Sequence, residues 1–246
     1  MKTADSNEKI LSIDIGGSHI KAIILDVEGK MLTEYKKIET PQSADPEHII
    51  QAIVELTRDL QPYTKVSVGF PGYIRNGVVR TAPNLNDKKW EGVELCKRLT
   101  DLLKSPTRVL NDADMQSLGI ASGHGLEMVV TLGTGFGTAL LIDGNLLPHM
   151  ELAHHPVSKD RTYDEYLGEK ALEEVGQEHW NRRIQKVIDI LKIVFNYDHL
   201  YLGGGNSRKI NFTLADTITA VTNLDGIKGG ARLWQKEDHY NQYSVI

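Results

Sequence analysis

A single cysteine, Cys96, among 246 residues excludes an internal disulfide and any zinc site built on several thiolates. A reducing cytosol is therefore the expected compartment. Surplus positive charge is also missing. With 28 Lys and Arg against 33 Asp and Glu, the formal net charge is −5, which gives no support to a nucleic-acid-binding or membrane-surface protein. No apolar run approaches the roughly 18 residues a membrane span requires. The N-terminus is polar, with acids at Asp5 and Glu8, so no targeting segment is expected. No low-complexity stretch or long linker interrupts the chain. What remains, 40% hydrophobic and 25% charged, is a globular composition long enough for two modest lobes with real cores.

Against these absences stands glycine, in three clusters. Residues 11–22, LSIDIGGSHIKA, run apolar to Asp14, turn at Gly16 and Gly17 and resume apolar at Ile20, which reads as strand, tight loop, strand. Lacking Cβ atoms, the two glycines let backbone N–H groups approach phosphate oxygens. Ser18 adds a hydroxyl donor, and Asp14 is a carboxylate suited to holding Mg²⁺ through water. The same residues equally make a plain hairpin. The pattern returns at residues 128–141, MVVTLGTGFGTALL, where Gly133, Gly135 and Gly137 are interleaved with Thr134 and Thr138. Each copy continues through a hairpin signal, Glu28-Gly29 and then Asp143-Gly144, into a third strand. Two such units predict a duplicated fold whose phosphate loops face each other across a cleft, not a solenoid.

Between the copies, Asp45 as N-cap and Pro46 at the first helical position open an amphipathic helix over 46–60. Residues 65–70 read as a strand ending in Gly69-Phe70-Pro71-Gly72. Strand, strand, strand, helix, strand is the order of a ribonuclease H-like α/β lobe. Residues 73–90 hold an Asn76-Gly77 turn and a polar loop, Pro83-Asn84-Leu85-Asn86, closed by Trp90. Amides beside an indole suit sugar hydroxyls and an apolar sugar face, and serve equally as plain structure. A helix over 91–103 and a strand over 107–110 lead to Asn111-Asp112-Ala113-Asp114. Catalytic groups collect at such a strand end, and so do a helix cap and an acid on the helix dipole. In the second half, residues 146–150 close the hairpin unit. The loop Glu151-Leu152-Ala153-His154-His155-Pro156 follows, with a carboxylate and two imidazoles; with His149 these match no standard zinc spacing. A helical face of Trp180, Ile184, Val187, Ile188, Leu191, Val194 and Phe195 leaves Arg182, Arg183, Lys186 and Lys192 off it. A strand over 197–202 runs into Gly203-Gly204-Gly205-Asn206, read as opening a helix.

Three glycine-rich loops at strand ends argue for a ligand with several phosphates. None is a P-loop, and none shows the dinucleotide fingerprint in its βαβ setting. Phosphoryl transfer to a hydroxyl needs a base at the acceptor, a metal for the donor's charge, and alignment. Asp112 is the candidate base and Asp14 the candidate metal partner, with amide, carboxylate and imidazole groups to hold the acceptor.

As an ordered set, IDIGGSHIKA, GFPGYIRNGVV, PNLNDKKW, VLNDAD, TLGTGFGTALLIDG, ELAHH and LYLGGGN resemble the ROK family of sugar kinases, most closely its polyphosphate glucokinase branch, over nearly the whole chain. The resemblance implies an α/β, two-lobed actin-like ATPase fold of duplicated β-β-β-α-β-α units with an interlobe cleft. The first lobe would span residues 1–111 and a larger one 112–246, the last helix packing back on the first. It implies phosphorylation of glucose at its 6-hydroxyl with Mg²⁺, polyphosphate or ATP being the donor. Carried onto this sequence, Asp112 is the base and Asn111 its sugar-binding neighbour. Glu151 and His154 are further sugar contacts, with Asn84 and Gly72 in loops by the sugar. Asp14, Gly16, Gly17, Ser18 and Lys21 belong to the first phosphate loop. Gly133, Thr134, Gly135 and Gly137 belong to the second, and Gly203, Gly204 and Gly205 to the donor's far end.

Two departures matter. Ala153 replaces the family's usual glycine between Glu151 and His154. The cysteine-rich zinc segment is absent together with the sugar-binding glutamate that follows it, so no zinc is expected and His154 is a hydroxyl partner only. The polyphosphate branch shares that loss. Another hexose or an amino sugar stays open as acceptor. Lys21, His19, Arg182, Arg183, Lys186 and Arg208 are candidates for a polyphosphate track. A repressor of this fold would need a helix-turn-helix before the first strand, for which about ten residues are too few. A non-catalytic sugar binder would lack the base. A cytoplasmic homodimer, binding neither nucleic acid nor membrane, is expected.

Overall fold

The structure, a computed structural model, describes residues 8–222 and 226–236. The chain forms two compact units, one taking residues up to Gly119 together with the chain from Ile227 onward, the other Ile120–Gly226. This division falls later than the 111/112 boundary the sequence pointed to, because the helix that begins at Asp112 stays with the first sheet. A Cβ on Gly69 would lie 2.9 Å from Met115 Cε, one on Gly229 would collide with the Met115 carbonyl, and Arg232 donates to Leu118 O at 2.9 Å.

The first unit comprises β1 (Ile10–Ile15), β2 (His19–Leu25), β3 (Lys36–Glu39), α1 (Pro46–Thr57), β4 (Lys65–Phe70), the hairpin of β5 (Ile74–Arg75) and β6 (Val78–Val79), α2 (Asp87–Trp90), α3 (Leu95–Leu103), β7 (Thr107–Asn111) and α4 (Asp112–Ile120). Its five-stranded sheet has the order β3-β2-β1-β4-β7. β1 runs antiparallel to β2 and parallel to β4, which is parallel to β7. β1 carries apolar residues on both faces, interspersed with Ser12 and Asp14, because both faces are covered. Leu11, Ile13 and Ile15 belong to the cluster with Ile49, Ile53 and Leu99 of α1 and α3, while Ile10 belongs to one with Ala231 of the returning helix Gly229–Arg232. Asp45 caps α1 as its side chain accepts from His48 N–H. α1 ends at Thr57, short of the predicted 60. α3 starts at Leu95, not 91, because Gly92 N–H donates to Val79 O and Val79 N–H to Val93 O, both at 2.9 Å, which draws that segment alongside β6.

The second unit comprises β8 (Leu126–Leu132), β9 (Phe136–Ile142), β10 (Asn145–Leu146), a 3₁₀ turn Leu152–His154, β11 (Pro156–Ser158), β12 (Arg161–Thr162), α5 (Tyr163–Leu167), α6 (Glu169–Phe195), β13 (His199–Gly203) and β14 (Ile218–Ala220). Its sheet order is β10-β9-β8-β13-β14, with β8 antiparallel to β9 and parallel to β13, and β13 parallel to β14. That is the order and direction of the first sheet. Trp180, Ile184, Val187, Ile188 and Leu191 of α6 share a core with Met128, Val130, Leu132, Leu200 and Leu202. Of the last two residues of the predicted apolar face, Phe195 packs against this core and Val194 is exposed. The third glycine cluster opens no α-helix: it leads only to a 3₁₀ turn, Ser207–Lys209. Among the described residues, no helix is long and apolar enough to cross a membrane.

Candidate active site

Where β7 passes into α4, Asn111 does the capping. Its Oδ1 accepts the N–H groups of Ala113 at 2.8 Å and Asp114 at 3.2 Å, and its Nδ2 donates to Gly72 O at 3.2 Å. Asp112 is thereby left at the first helical position, half-buried, with Oδ1 accepting Ala113 N–H at 2.8 Å. A negative charge is favourably placed at that end of a helix. The two roles weighed for this tetrad are thus divided between neighbours, the amide capping and the carboxylate standing beside it. Two glycines make the junction possible. A Cβ on Gly69 would lie 3.3 Å from Asp112 Cα, and one on Gly72 would collide with the Thr81 carbonyl. Gly72 is buried, so it serves the site through its carbonyl bond to Asn111. Gly69 belonged to no motif-based assignment, although it sits in GFPG.

Asn84 is exposed, and its carbonyl would be 3.7 Å from a Cβ on Gly17, so the polar loop lies alongside the first glycine loop. Trp90 does not face a ligand. It is fully buried, its ring 4.8 Å from that of Phe70 and its Nε1 donating to Ala44 O at 2.8 Å. The indole is core, and the sugar-face reading of it is withdrawn.

In the first glycine loop, Gly16 N–H donates to His19 O at 2.9 Å and Gly16 O accepts from Thr40 Oγ1 at 2.6 Å, while Gly17 and Ser18 are exposed. Asp14 and Lys21 face each other across β1 and β2. Lys21 Nζ is 3.4 Å from Asp14 Oδ2, each side chain about a third exposed at 38% and 32%.

In the second loop, Gly133 N–H turns inward to Gly135 O at 3.1 Å, Phe136 N–H donates to Asp164 Oδ1 at 2.7 Å, and Thr134 O accepts from Glu169 N–H at 3.2 Å. Gly137 and Gly203 are not loop residues. They lie in β9 and β13, on either side of Thr131, with which both pair. Gly204, at φ 84°, lies hard against the Leu132 backbone. Asn206 ties the third loop to the second, donating from its backbone N–H to Leu132 O at 2.9 Å and from Nδ2 to Gly133 O at 3.2 Å. Gly205 is exposed.

Glu151 is half-buried just before the 3₁₀ turn, its Oε1 3.4 Å from Nε2 of the buried His149 side chain, and His154 is exposed. Of the basic candidates in this unit, Arg183 and Lys186 meet on one ring, at 4.5 Å and 5.8 Å from the Tyr166 centroid, while Arg182 and Arg208 are exposed.

Residues 10–156 match the family model described as the ROK family. The chain is 31% identical to the polyphosphate glucokinase of Mycobacterium leprae over 244 residues, 92% of this chain and 74% of that protein. It is 30% identical to the polyphosphate glucokinase of Mycobacterium tuberculosis, over 89% of this chain and 88% of that one. The crystal structure of an inorganic polyphosphate/ATP-glucomannokinase from Arthrobacter sp. strain KM matches with a TM-score of 0.84 at 32% identity, covering 94% of this chain and 100% of that chain. A ROK family glucokinase from Streptomyces griseus, solved with glucose and AMPPNP, shares the fold at a TM-score of 0.79 and 20% identity, over 93% of this chain and 100% of that one.

Proposed function

This chain belongs to the ROK family and has its actin-like ATPase fold, and from that premise we propose that it is a glucokinase, transferring a phosphoryl group from inorganic polyphosphate, ATP or both to the 6-hydroxyl of glucose. The observation that carries this reading is the division of labour at the head of α4. Asn111 fixes the helix start and the Gly72 loop, which places the Asp112 carboxyl, whose Oδ1 accepts Ala113 N–H at 2.8 Å, at a strand end.

Asp112 takes the proton of the sugar hydroxyl as its oxygen attacks the terminal phosphorus in line, and the phosphoanhydride bond breaks to leave shortened polyphosphate or ADP. Asn111 keeps one amide N–H beyond its Gly72 bond for a sugar hydroxyl, and Glu151 and His154 hold other hydroxyls. Thr134 and Gly135, with Gly17 and Ser18, offer N–H and hydroxyl donors to phosphate oxygens. Asp14, a carboxylate about a third exposed at the end of β1, fits Mg²⁺ of the kind held by one carboxylate, donor oxygens and water. Mg²⁺ there would neutralise charge on the donor phosphates. We place the enzyme in the cytosol as a homodimer, which light scattering of the purified chain tests.

The experiment is a coupled assay of glucose 6-phosphate with glucose plus ATP, and with glucose plus long-chain polyphosphate. Product with at least one donor is expected; none with either defeats the reading. The glucomannokinase relative favours mannose as a second acceptor, and the same assay with mannose decides it.

A further inference from the structure

α5 has only five residues, yet its start is tightly fixed. Thr162 and Glu165 form a reciprocal capping box: Glu165 N–H donates to Thr162 Oγ1 at 3.3 Å and Thr162 N–H to Glu165 Oε2 at 2.9 Å. Tyr163 N–H donates to His155 O at 3.1 Å. The two residues so anchored, Tyr163 and Asp164, both grip Phe136, the first residue after the second glycine loop. The rings of Tyr163 and Phe136 stack with centroids 5.2 Å apart, and Asp164 Oδ1 accepts Phe136 N–H at 2.7 Å.

Space around this bond is fully used. A Cβ on Gly135 would collide with Asp164 Oδ1, and one on Gly168 would lie 2.8 Å from Thr134 O and 2.7 Å from Asp164 O. The turn is therefore braced from one side by Asp164, Gly168 and the Glu169 N–H. Among the described residues, the N–H groups of Thr134 and Gly135 have no hydrogen-bond partner, and Thr134 is exposed.

We propose that Asp164 is a positioning residue for the phosphoryl donor: its carboxylate holds the turn at Gly133, Thr134 and Gly135 in the shape that leaves the Thr134 and Gly135 N–H groups for phosphate oxygens. This rests on the kinase reading above. A carboxylate repels a polyanion, so Asp164 acts as an acceptor for the loop and not as a contact to the donor. Geometry and charge can therefore be separated. Asp164→Asn keeps an acceptor oxygen for Phe136 N–H and removes the charge. Asp164→Glu keeps the charge but adds a methylene where Gly135 leaves no room, and Asp164→Ala removes both.

Initial rates are measured with long-chain polyphosphate and with ATP, varying donor and glucose separately, with thermal melts to establish folding. Donor KM should rise about tenfold in Asp164→Ala and Asp164→Glu, the scale of a hydrogen bond to a charged acceptor, with glucose KM unchanged. Asp164→Asn should stay within about twofold of the wild type or bind donor more tightly, since one repelling charge is gone. The inference is overturned if the Asn variant is as impaired as the Ala variant, if the Glu variant behaves as wild type, or if glucose KM rises in step with donor KM. Should the wild type phosphorylate no glucose, the kinase reading fails by itself. Calorimetric titration with tripolyphosphate then decides the loop inference directly, the same ranking supporting it and equal affinities, or no binding at all, overturning it.

Discussion

The two sheets of this protein share strand order and direction and differ in what they carry. Counted from the last pair before each loop, Ile15 with Ile20 and Leu132 with Phe136, the next pair is Asp14 with Lys21 in the first sheet and Thr131 with Gly137 in the second. Five residues before Ile15 stands Ile10, buried against the return helix, and five before Leu132 stands Glu127, a fully buried carboxylate. β7 runs into Asn111 and Asp112, whereas the two residues after β14 are Val221 and Thr222. The frame was duplicated and the chemistry was not. In the first unit charge stands at the loop and strand ends, where substrates can meet it. In the second, the loop Gly133-Thr134-Gly135 has no charged side chain of its own and the buried Glu127 serves the frame.

The largest test of that asymmetry is Asp112→Asn. It keeps the size of the side chain and leaves the Asn111 cap untouched, so folding should be unchanged while kcat falls at least ~10²-fold, the lower end of what a positioned base contributes. Steady-state rates with the preferred donor read it. Near-normal turnover would remove the chemical distinction between the units.

Glu127 tests the other side. Its oxygens accept from Ser122 N–H at 2.7 Å, Ser122 Oγ at 2.8 Å, Gly123 N–H at 2.8 Å and Tyr201 OH at 3.0 Å. Burial pushes its carboxyl pKa up, but the bonds from Ser122, Gly123 and Tyr201 outweigh that and hold it below its ordinary value. Glu127→Ala strands these donors and should cost about 3 kcal/mol in chemical denaturation, as losing charge-assisted bonds at a buried site does. Because the folded pKa is depressed, the stabilisation is complete above the unfolded value and is lost as pH falls through the folded one. The gap between wild type and Glu127→Gln should therefore be widest near neutrality and narrow below the ordinary glutamate range. A gap independent of pH would contradict the charged network.

Gly204→Ala should cost about 2 kcal/mol, since φ 84° disfavours a Cβ and that atom would collide with the Leu132 carbonyl. Donor KM should rise with it as the third loop leaves the second. A melt shift without a change in donor KM would make that loop purely structural.

Much of the frame could be read from local pattern. Asp45-Pro46 and the apolar face that follows fixed the start of α1, and both hairpins were marked by their glycines. What failed depends on distant partners. Trp90 beside a polar loop looks the same whether it is core or ligand surface; only Phe70 and the Ala44 carbonyl decide. Asp164 reaches 28 residues back to Phe136, and its local sequence, TYDEY, announces a capping box and nothing more. No α-helix follows Gly205 because Ile210, Phe212 and Leu214 pack against the core at every second position, an extended period and not a helical one.

The smallest effect, and the one that decides what the charged pair means, is that of Lys21→Met. Asp14 and Lys21 are each about a third exposed and 3.4 Å apart, and ion pairs so placed contribute roughly 0–1 kcal/mol. The second hairpin has Thr131 and Gly137 at the corresponding pair and forms without any such contact, so the hairpin does not require it. Stability of the variant should stay within about 0.5 kcal/mol of the wild type. Donor KM should nonetheless rise several-fold, on the order of one lost charge-assisted bond to phosphate, with glucose KM unmoved. Denaturation and donor kinetics on the same preparation separate the two. Lost stability with unchanged donor KM would make the pair part of the frame after all, and charge at the first loop would no longer distinguish the units.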